Sequence, residues 1–115
     1  MAFEIIPHLV RVLDELIFLL TCDKRAEGGG QWFTWRLEWL RRIRELLYES
    51  PTKELLWEIA REIQEVMRGG MGSFLDIYLD PKAECGLSKE EINERFVRLT
   101  NELYDLHNKI IGEIN

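Results

Sequence analysis

Two groups of carboxylates are the residues of this chain whose type and spacing are best suited to chemistry. Near the C-terminus, Glu90, Glu91 and Glu94 are followed by Glu102 and Asp105. The second group is a row at steps of three and four, formed by Glu54, Glu58, Glu62 and Glu65. Carboxylates grouped in this way suit either the binding of Mg²⁺ or the pairing with Lys and Arg of another protein.

The C-terminal group resembles the acidic signature of all-α nucleotide pyrophosphohydrolases of the MazG type. In that family the clusters bind magnesium from facing helices, so the resemblance implies a Mg²⁺-dependent nucleotide hydrolase. Here both clusters fall on one predicted helix, along which they span too much length to share one ion. The enzyme is therefore kept as an alternative, and we expect no catalytic residue, cofactor or metal.

Histidine and cysteine add little catalytic potential. His8 and His107 have no Cys nearby and no Glu at helical metal-ligand spacing, so structural roles are expected for both. Cys22 and Cys85 are too few and too far apart to suggest a zinc site or a disulfide framework. We expect two reduced, partly buried thiols in a cytoplasmic protein.

A glycine-rich run is the feature that helix formation does not explain. Three glycines within four residues are costly in chain entropy, and are useful where the backbone needs a positive φ or a very close approach. The run lies between two strongly amphipathic segments, which account for folding without it. It is a candidate loop motif and consists of Gly69, Gly70, Met71, Gly72, Ser73 and Phe74.

This run, with Leu75 and Asp76 after it, resembles the central motif of small bacterial helical proteins. In those proteins a Gly-Gly-Met-Gly-Ser-Phe-like segment follows a helix and precedes an Asn-containing final helix. Asn93 fits that layout, whereas Leu75 stands where the family commonly has Asn. Such proteins are similar to immunity proteins of bacterial toxin systems, which are small, acidic, cytosolic and helical. The resemblance implies no known catalytic activity.

Four amphipathic segments predict the scaffold for these residues. The first runs from about residues 3–6 to 21–22, and its apolar stripe is wide enough for burial on more than one side. The second runs from 31 to 48, and Phe33 lies off its expected core face. That face carries Trp32, Trp35, Trp39, Ile43 and Leu46.

Start and stop signals bound the other two helices. Ser50 is a suitable N-cap and Pro51 a suitable first residue for the third helix, which ends at Gly69. Ser88 and Glu91 form a capping box for the fourth, which extends to about residue 111. Its apolar residues alternate steps of four and three: Ile92, Phe96, Leu99, Leu103, Leu106 and Ile110.

The elements predict an all-α fold and one domain, 1–115, arranged as a four-helix antiparallel bundle. The short connection at Ser50 and Pro51 makes the second and third helices an antiparallel hairpin. A long glycine-framed loop joins the third and fourth. Within it, residues 73–79 are too apolar for disorder and form a short extra helix or an extended piece packed across the bundle.

Charge favours a basic protein as the partner. The 115 residues hold 21 acids and 15 bases, for a formal net charge of −6. Such a surface repels phosphate backbones, and charges within residues 5–20 rule out a bilayer span, so neither nucleic acid nor membrane is expected.

We therefore predict a protein-binding module without enzymatic activity, most simply an immunity protein or antitoxin that occludes a basic toxin domain. The partner-binding residues are predicted to be Glu54, Glu58, Glu62, Glu65, Asp76 and Asp80. A homo-oligomeric helical scaffold, with the homodimer as its simplest form, is the other alternative, since the apolar surface of the first helix is wide.

Overall fold

The computed structural model describes residues 2–27, 31–49, 52–67 and 77–114. Within them the chain forms four α-helices and no strand, which confirms the all-α four-helix fold. The helices are α1 (Ile6–Cys22), α2 (Gln31–Glu49), α3 (Lys53–Met67) and α4 (Lys89–Ile114). Single turns of 3₁₀ helix occur at Ala2–Ile5, Lys24–Ala26 and Ala83–Cys85.

Helices α1 and α4 supply the centre of the core. α1 packs against both α2 and α4, and α3 packs against α4. The wide stripe of α1 is buried over more than one side, as predicted, because α2 and α4 cover different parts of it. All six apolar residues predicted for the core face of α4 are buried, from Ile92 to Ile110.

Local capping fixes where the last two helices begin. The predicted capping box is confirmed: the Glu91 amide donates to Ser88 Oγ at 3.1 Å, and the Ser88 amide donates to Glu91 Oε1 at 3.3 Å. At the start of α3, Thr52 Oγ1 accepts a hydrogen bond from the Leu55 amide at 3.1 Å. Ser50 and Pro51, predicted as the N-cap and first residue of this helix, lie outside the described residues.

The core face of α2 differs from the predicted one. Phe33 is 1% exposed and Trp35 is 52% exposed, so their predicted positions are reversed, whereas Trp39 is buried as expected. The reason is that α2 is apolar over more than one arc, and the core takes the arc of Phe33, Leu37, Leu40, Ile43 and Leu47. The Arg25 guanidinium lies over the Phe33 ring, 4.7 Å from its centroid.

Helices α2 and α3 follow each other in the chain but do not pack closely. Within the described residues, their backbones hardly approach each other. The side chains that α2 and α3 turn towards each other include Trp35, Trp39, Arg42 and Glu62. These side chains therefore line the space that separates the two helices.

Candidate functional site

A groove lies between α2 and α3, with a volume of about 600 Å³. Its α2 wall repeats at steps of four, three and four, through Trp35, Trp39, Arg42 and Leu46. Its α3 wall repeats in the same way, through Leu55, Ile59, Glu62 and Val66. Each helix therefore turns one continuous face towards the groove, as the 3.6-residue period of a helix requires.

Most of the groove is apolar and not fully covered. Trp39 and Ile59 are buried beneath it, with exposures of 4% and 0%. Above them, Leu46, Leu55 and Val66 are only half-buried, and half of Trp35 is open to solvent. Apolar surface left in this state gains free energy when another apolar surface covers it, at roughly 25 cal/mol per Å².

One ion pair joins the two walls. Arg42 Nη2 on α2 donates to Glu62 Oε1 on α3 across a distance of 2.6 Å. This pair uses the one basic residue of the α2 wall and one of the acids predicted to bind a partner. Glu62 is therefore already neutralised within the chain, which the sequence pattern did not indicate.

The other acids of the α3 row are unpaired. Glu58 and Glu65 line the groove, are exposed, and form no ion pair with any described residue. Glu54 is also exposed and forms no ion pair with another described residue. It lies in a neighbouring depression of about 410 Å³ that Lys53 and Trp57 also line. Arg61 also lines the groove beside these acids, and its guanidinium lies 4.8 Å from the centroid of the Trp57 ring.

The remaining residues predicted to bind a partner do not lie in the groove. Asp80 lies after the long loop, where its carboxylate faces Lys24 Nζ at 3.5 Å and Lys89 Nζ at 4.0 Å. Asp76 and the motif residues Gly69, Gly70, Met71, Gly72, Ser73 and Phe74 lie outside the described residues. The structure therefore brings together Glu58, Glu62 and Glu65, with Glu54 beside them.

A second polar centre, which we call the clasp, ties the segment 77–85 to the helices. It consists of Asp23, Arg25, Asn93 and the pair Cys22 and Cys85. The backbone of this segment bridges to the end of α1 through Lys24 N to Asp80 O at 3.0 Å and Lys82 N to Cys22 O at 2.8 Å. Of the predicted piece 73–79, Ile77 and Leu79 are described and buried, but they are not helical.

Asp23 is the centre of the clasp. Its carboxylate is completely buried and accepts hydrogen bonds from the Asp80 amide at 2.8 Å and from the amide and guanidinium of Arg25 at 2.8 to 3.0 Å. Burial by itself raises the pKa of Asp23, but the hydrogen bonds from Arg25 and from the Asp80 amide outweigh it, so the pKa is lowered from 3.8. The carboxylate is therefore ionised and serves as a structural acceptor.

Asn93 holds the same segment from the α4 side. Its Oδ1 accepts from the Leu79 amide at 2.8 Å, and its Nδ2 donates to the Leu79 carbonyl at 2.9 Å and to the Lys89 carbonyl at 2.8 Å. The Asn93 side chain thus forms with the Leu79 backbone the pair of hydrogen bonds that a neighbouring strand would otherwise form. This gives Asn93, which the family resemblance singled out, a structural role.

Cys22 and Cys85 form a disulfide, so the prediction of two reduced thiols is wrong. Their Cα atoms lie 5.9 Å apart, although 63 residues separate them in sequence. The backbone hydrogen bonds between the end of α1 and residues 80–82 bring the two cysteines to this distance. Spacing along the chain carried no information about this approach.

The acids that suggested a hydrolase all lie on α4, where they are engaged in different contacts or exposed to solvent. Glu91 is engaged in the capping box, and Glu102 faces His8 Nε2 and Arg11 Nη2, each at 3.4 Å. Glu94 and Asp105 are exposed on α4. Among the described residues, no three His, Cys, Asp or Glu side chains are grouped to hold a metal ion.

The fold and these two centres define an all-α four-helix protein with a clasped loop and an open, mixed apolar and acidic groove. In the described part of the chain, no helix has both the length and the apolar character needed to cross a bilayer. Comparison of the chain with protein-family models, curated proteins and solved structures gives no match.

Proposed function

We propose that this protein is a binding module that receives a basic partner protein at the groove between α2 and α3. The observation that carries the proposal is that Glu58 and Glu65, which form no ion pair with another described residue, line the same groove as the half-exposed Trp35. An open apolar surface that carries a net negative charge, from three glutamates against two arginines, is a candidate docking surface. It suits a partner that supplies an apolar side chain and Lys or Arg together.

The acidic row of α3 indicates that the partner surface is positively charged. Aspartate and glutamate exceed lysine and arginine by six over the whole chain, so a basic protein is attracted from a distance as well as in contact. Complementary charge of this kind speeds encounter and excludes wrong partners more than it adds affinity. Apolar burial at Trp35 and its neighbours then supplies the larger share of the binding free energy.

The particular role that we propose is that of an immunity protein or antitoxin, which occupies a toxin domain and blocks it. Support comes from the resemblance of residues 69–77 to the motif of immunity-like helical proteins, and from the acidity of the chain. Inhibition by occlusion requires only a stable surface and no chemistry. A clasped helical scaffold with an open groove meets that requirement.

Co-expression with the product of the adjacent gene tests this role. We expect that product to arrest growth when it is expressed alone, and this protein to restore growth and to co-purify with it. Glu58→Lys combined with Glu65→Lys should abolish the rescue. Glu94→Lys combined with Asp105→Lys makes the same charge change at exposed positions of α4 and should retain it.

Either of two results would overturn the role. A neighbouring product that neither arrests growth nor binds would remove the immunity function. Equal rescue by the groove variant and the α4 variant would show that the partner binds elsewhere. Circular dichroism of both purified variants establishes that each is folded before the comparison is made.

The disulfide bears on where the protein acts. We propose an oxidising compartment in place of the predicted cytoplasm, because a protein disulfide persists where the surroundings are oxidising and is rare in the cytosol. Alkylation of the protein in intact cells, followed by mass spectrometry, tests this. No alkylation at Cys22 and Cys85 is the expected result, and two alkylated thiols would restore the cytoplasmic prediction.

A further inference from the structure

We infer that the groove receives one amphipathic α-helix of the partner, with its apolar side towards Trp35 and Ile59 and with Lys or Arg seven residues apart towards Glu58 and Glu65. This inference rests on the proposed function and specifies the structural form of the partner. It depends on three features of the groove: its repeat, its length and the spacing of its free acids.

The repeat of the groove is that of a helix-packing seam. On α2 the positions are apolar, apolar, charged and apolar at Trp35, Trp39, Arg42 and Leu46. On α3 the same order occurs at Leu55, Ile59, Glu62 and Val66, and the two charged positions pair with each other. Steps of four and three are the spacing that receives the side chains of another helix as knobs into holes.

The length of the groove also matches a helix. Both walls extend over twelve residues, from 35 to 46 and from 55 to 66. At 1.5 Å per residue each wall is about 16 Å long, which is about three helical turns. A partner helix of about three turns covers the half-buried residues Leu46, Leu55 and Val66 without extending beyond the groove.

The free acids set the charge pattern of the partner. Glu58 and Glu65 are seven residues apart, so they lie on the same side of α3 and about 10 Å from each other. Each directly precedes an apolar wall residue, Ile59 or Val66, and so flanks the seam. Charges at flanking positions select the partner of a helical seam by opposite sign, and basic residues seven apart match this arrangement.

A second copy of the chain fits less well. A symmetric dimer formed through this groove would oppose the groove to itself, because the same patch is used on both subunits. It would then bring Glu58 and Glu65 of one copy against the same acids of the other, and like charges at an interface are repulsive. The occupant is therefore taken to be a different protein with basic flanking residues.

Peptide binding provides the test. The probes are two synthetic helical peptides of about four turns, identical in their apolar side, which carry either Lys or Glu at two flanking positions seven residues apart. Fluorescence anisotropy of each labelled peptide is measured against the wild-type protein. We expect saturable binding of the Lys peptide, at least about tenfold tighter than that of the Glu peptide, and weaker as salt rises.

Variants locate the binding. Glu58→Lys with Glu65→Lys should weaken binding of the Lys peptide and strengthen binding of the Glu peptide, each by about tenfold. Glu94→Lys with Asp105→Lys should leave the affinity for both peptides unchanged. Trp35→Ala should weaken the binding of both peptides. Tyr48→Ala, which removes another exposed aromatic side chain of α2, should weaken the binding of neither. Light scattering detects a homodimer, which would contradict the proposed occupant.

Failure of this inference is distinct from failure of the proposed function. If the partner protein binds and Glu58 and Glu65 matter, but neither peptide binds, the partner uses a non-helical surface and the inference is wrong. Equal binding of the Lys and Glu peptides would also overturn it. If the Lys peptide binds as expected but the adjacent gene product does not, the immunity role fails and the groove assignment stands.

Discussion

The clasp and the groove place carboxylates in opposite circumstances. At the clasp the buried Asp23 carboxylate is surrounded by hydrogen-bond donors from Arg25 and from the Asp80 amide. At the groove, Glu58 and Glu65 are exposed and form no ion pair within the described chain. A buried charge is satisfied within the fold, whereas an exposed charge is hydrated and remains available to another molecule.

The same contrast applies to apolar packing. Around the clasp, Ile77, Leu79 and Cys22 are buried, and a disulfide closes the segment on to α1. Across the groove, α2 and α3 leave Trp35 half-exposed and several aliphatic side chains incompletely covered. Rigidity at one place and an open apolar surface at another suit a binding module, because a preorganised scaffold loses little conformational entropy when a partner docks.

Removal of the disulfide should have the largest effect. Cys22→Ser with Cys85→Ser frees a loop of 63 residues in the unfolded chain, and on the chain-entropy model it lowers the free energy of unfolding by about 4 kcal/mol. Urea denaturation of the oxidised wild type and of the variant measures the difference. A reducing agent should destabilise the wild type to a similar degree and leave the variant unchanged. Identical midpoints for the two proteins would contradict the prediction.

Removal of the Asp23 carboxylate should come next. Asp23→Ala leaves the buried amides of Asp80 and Arg25 without an acceptor, and it should cost about 3 kcal/mol of unfolding free energy. The matched control is Asp80→Ala, which removes only the more exposed ion pairs with Lys24 and Lys89 and should cost less than about 1 kcal/mol. Thermal unfolding of both variants measures which loses more stability. A larger loss of stability for Asp80→Ala would show that Asp23 is not the centre of the clasp.

Acid should weaken the clasp selectively. Because the pKa of Asp23 is lower in the folded protein than its ordinary 3.8, the folded state binds fewer protons at this site than the unfolded state. The stability from this group is therefore fully present above the unfolded pKa and is lost as pH falls through the folded pKa. We expect the difference in unfolding free energy between wild type and Asp23→Asn to be constant at neutral pH and to shrink below about pH 4. A difference that grows on acidification would show that the sign is wrong.

Sequence alone predicted the elements that have one apolar arc. α4 has a single arc at steps of four and three and a local capping box, so its buried residues and its start were both predicted. α2 has apolar residues on two arcs, and only the neighbouring helices decide which arc enters the core. The tryptophan arc therefore predicts that Trp35 faces inwards and Phe33 lies off the core, although Phe33, Leu37, Leu40 and Leu47 also repeat at helical spacing and are the residues that are buried.

The candidate site was predicted in part for the same reason. The glutamate row is a local pattern on α3, so its members were identified, but the Arg42 partner of Glu62 and the Trp35 side of the groove depend on how two helices stand in space. The clasp joins Cys22 to Cys85 and residue 93 to residue 79 through tertiary contacts. A single sequence shows periodicity and caps, and it does not show which distant residues meet.

Neutralising the groove acids should have the smallest effect on stability and a clear effect on binding. Glu58→Gln with Glu65→Gln replaces two exposed carboxylates that form no ion pair with another described residue, so the free energy of unfolding should stay within about 0.5 kcal/mol of the wild type. Binding of the Lys peptide should nevertheless weaken by several fold, because its flanking charges lose their partners. Urea denaturation and anisotropy on the same samples separate the two effects. A loss of stability above about 1 kcal/mol would mean that these acids support the fold, and the contrast between groove and clasp would then no longer hold.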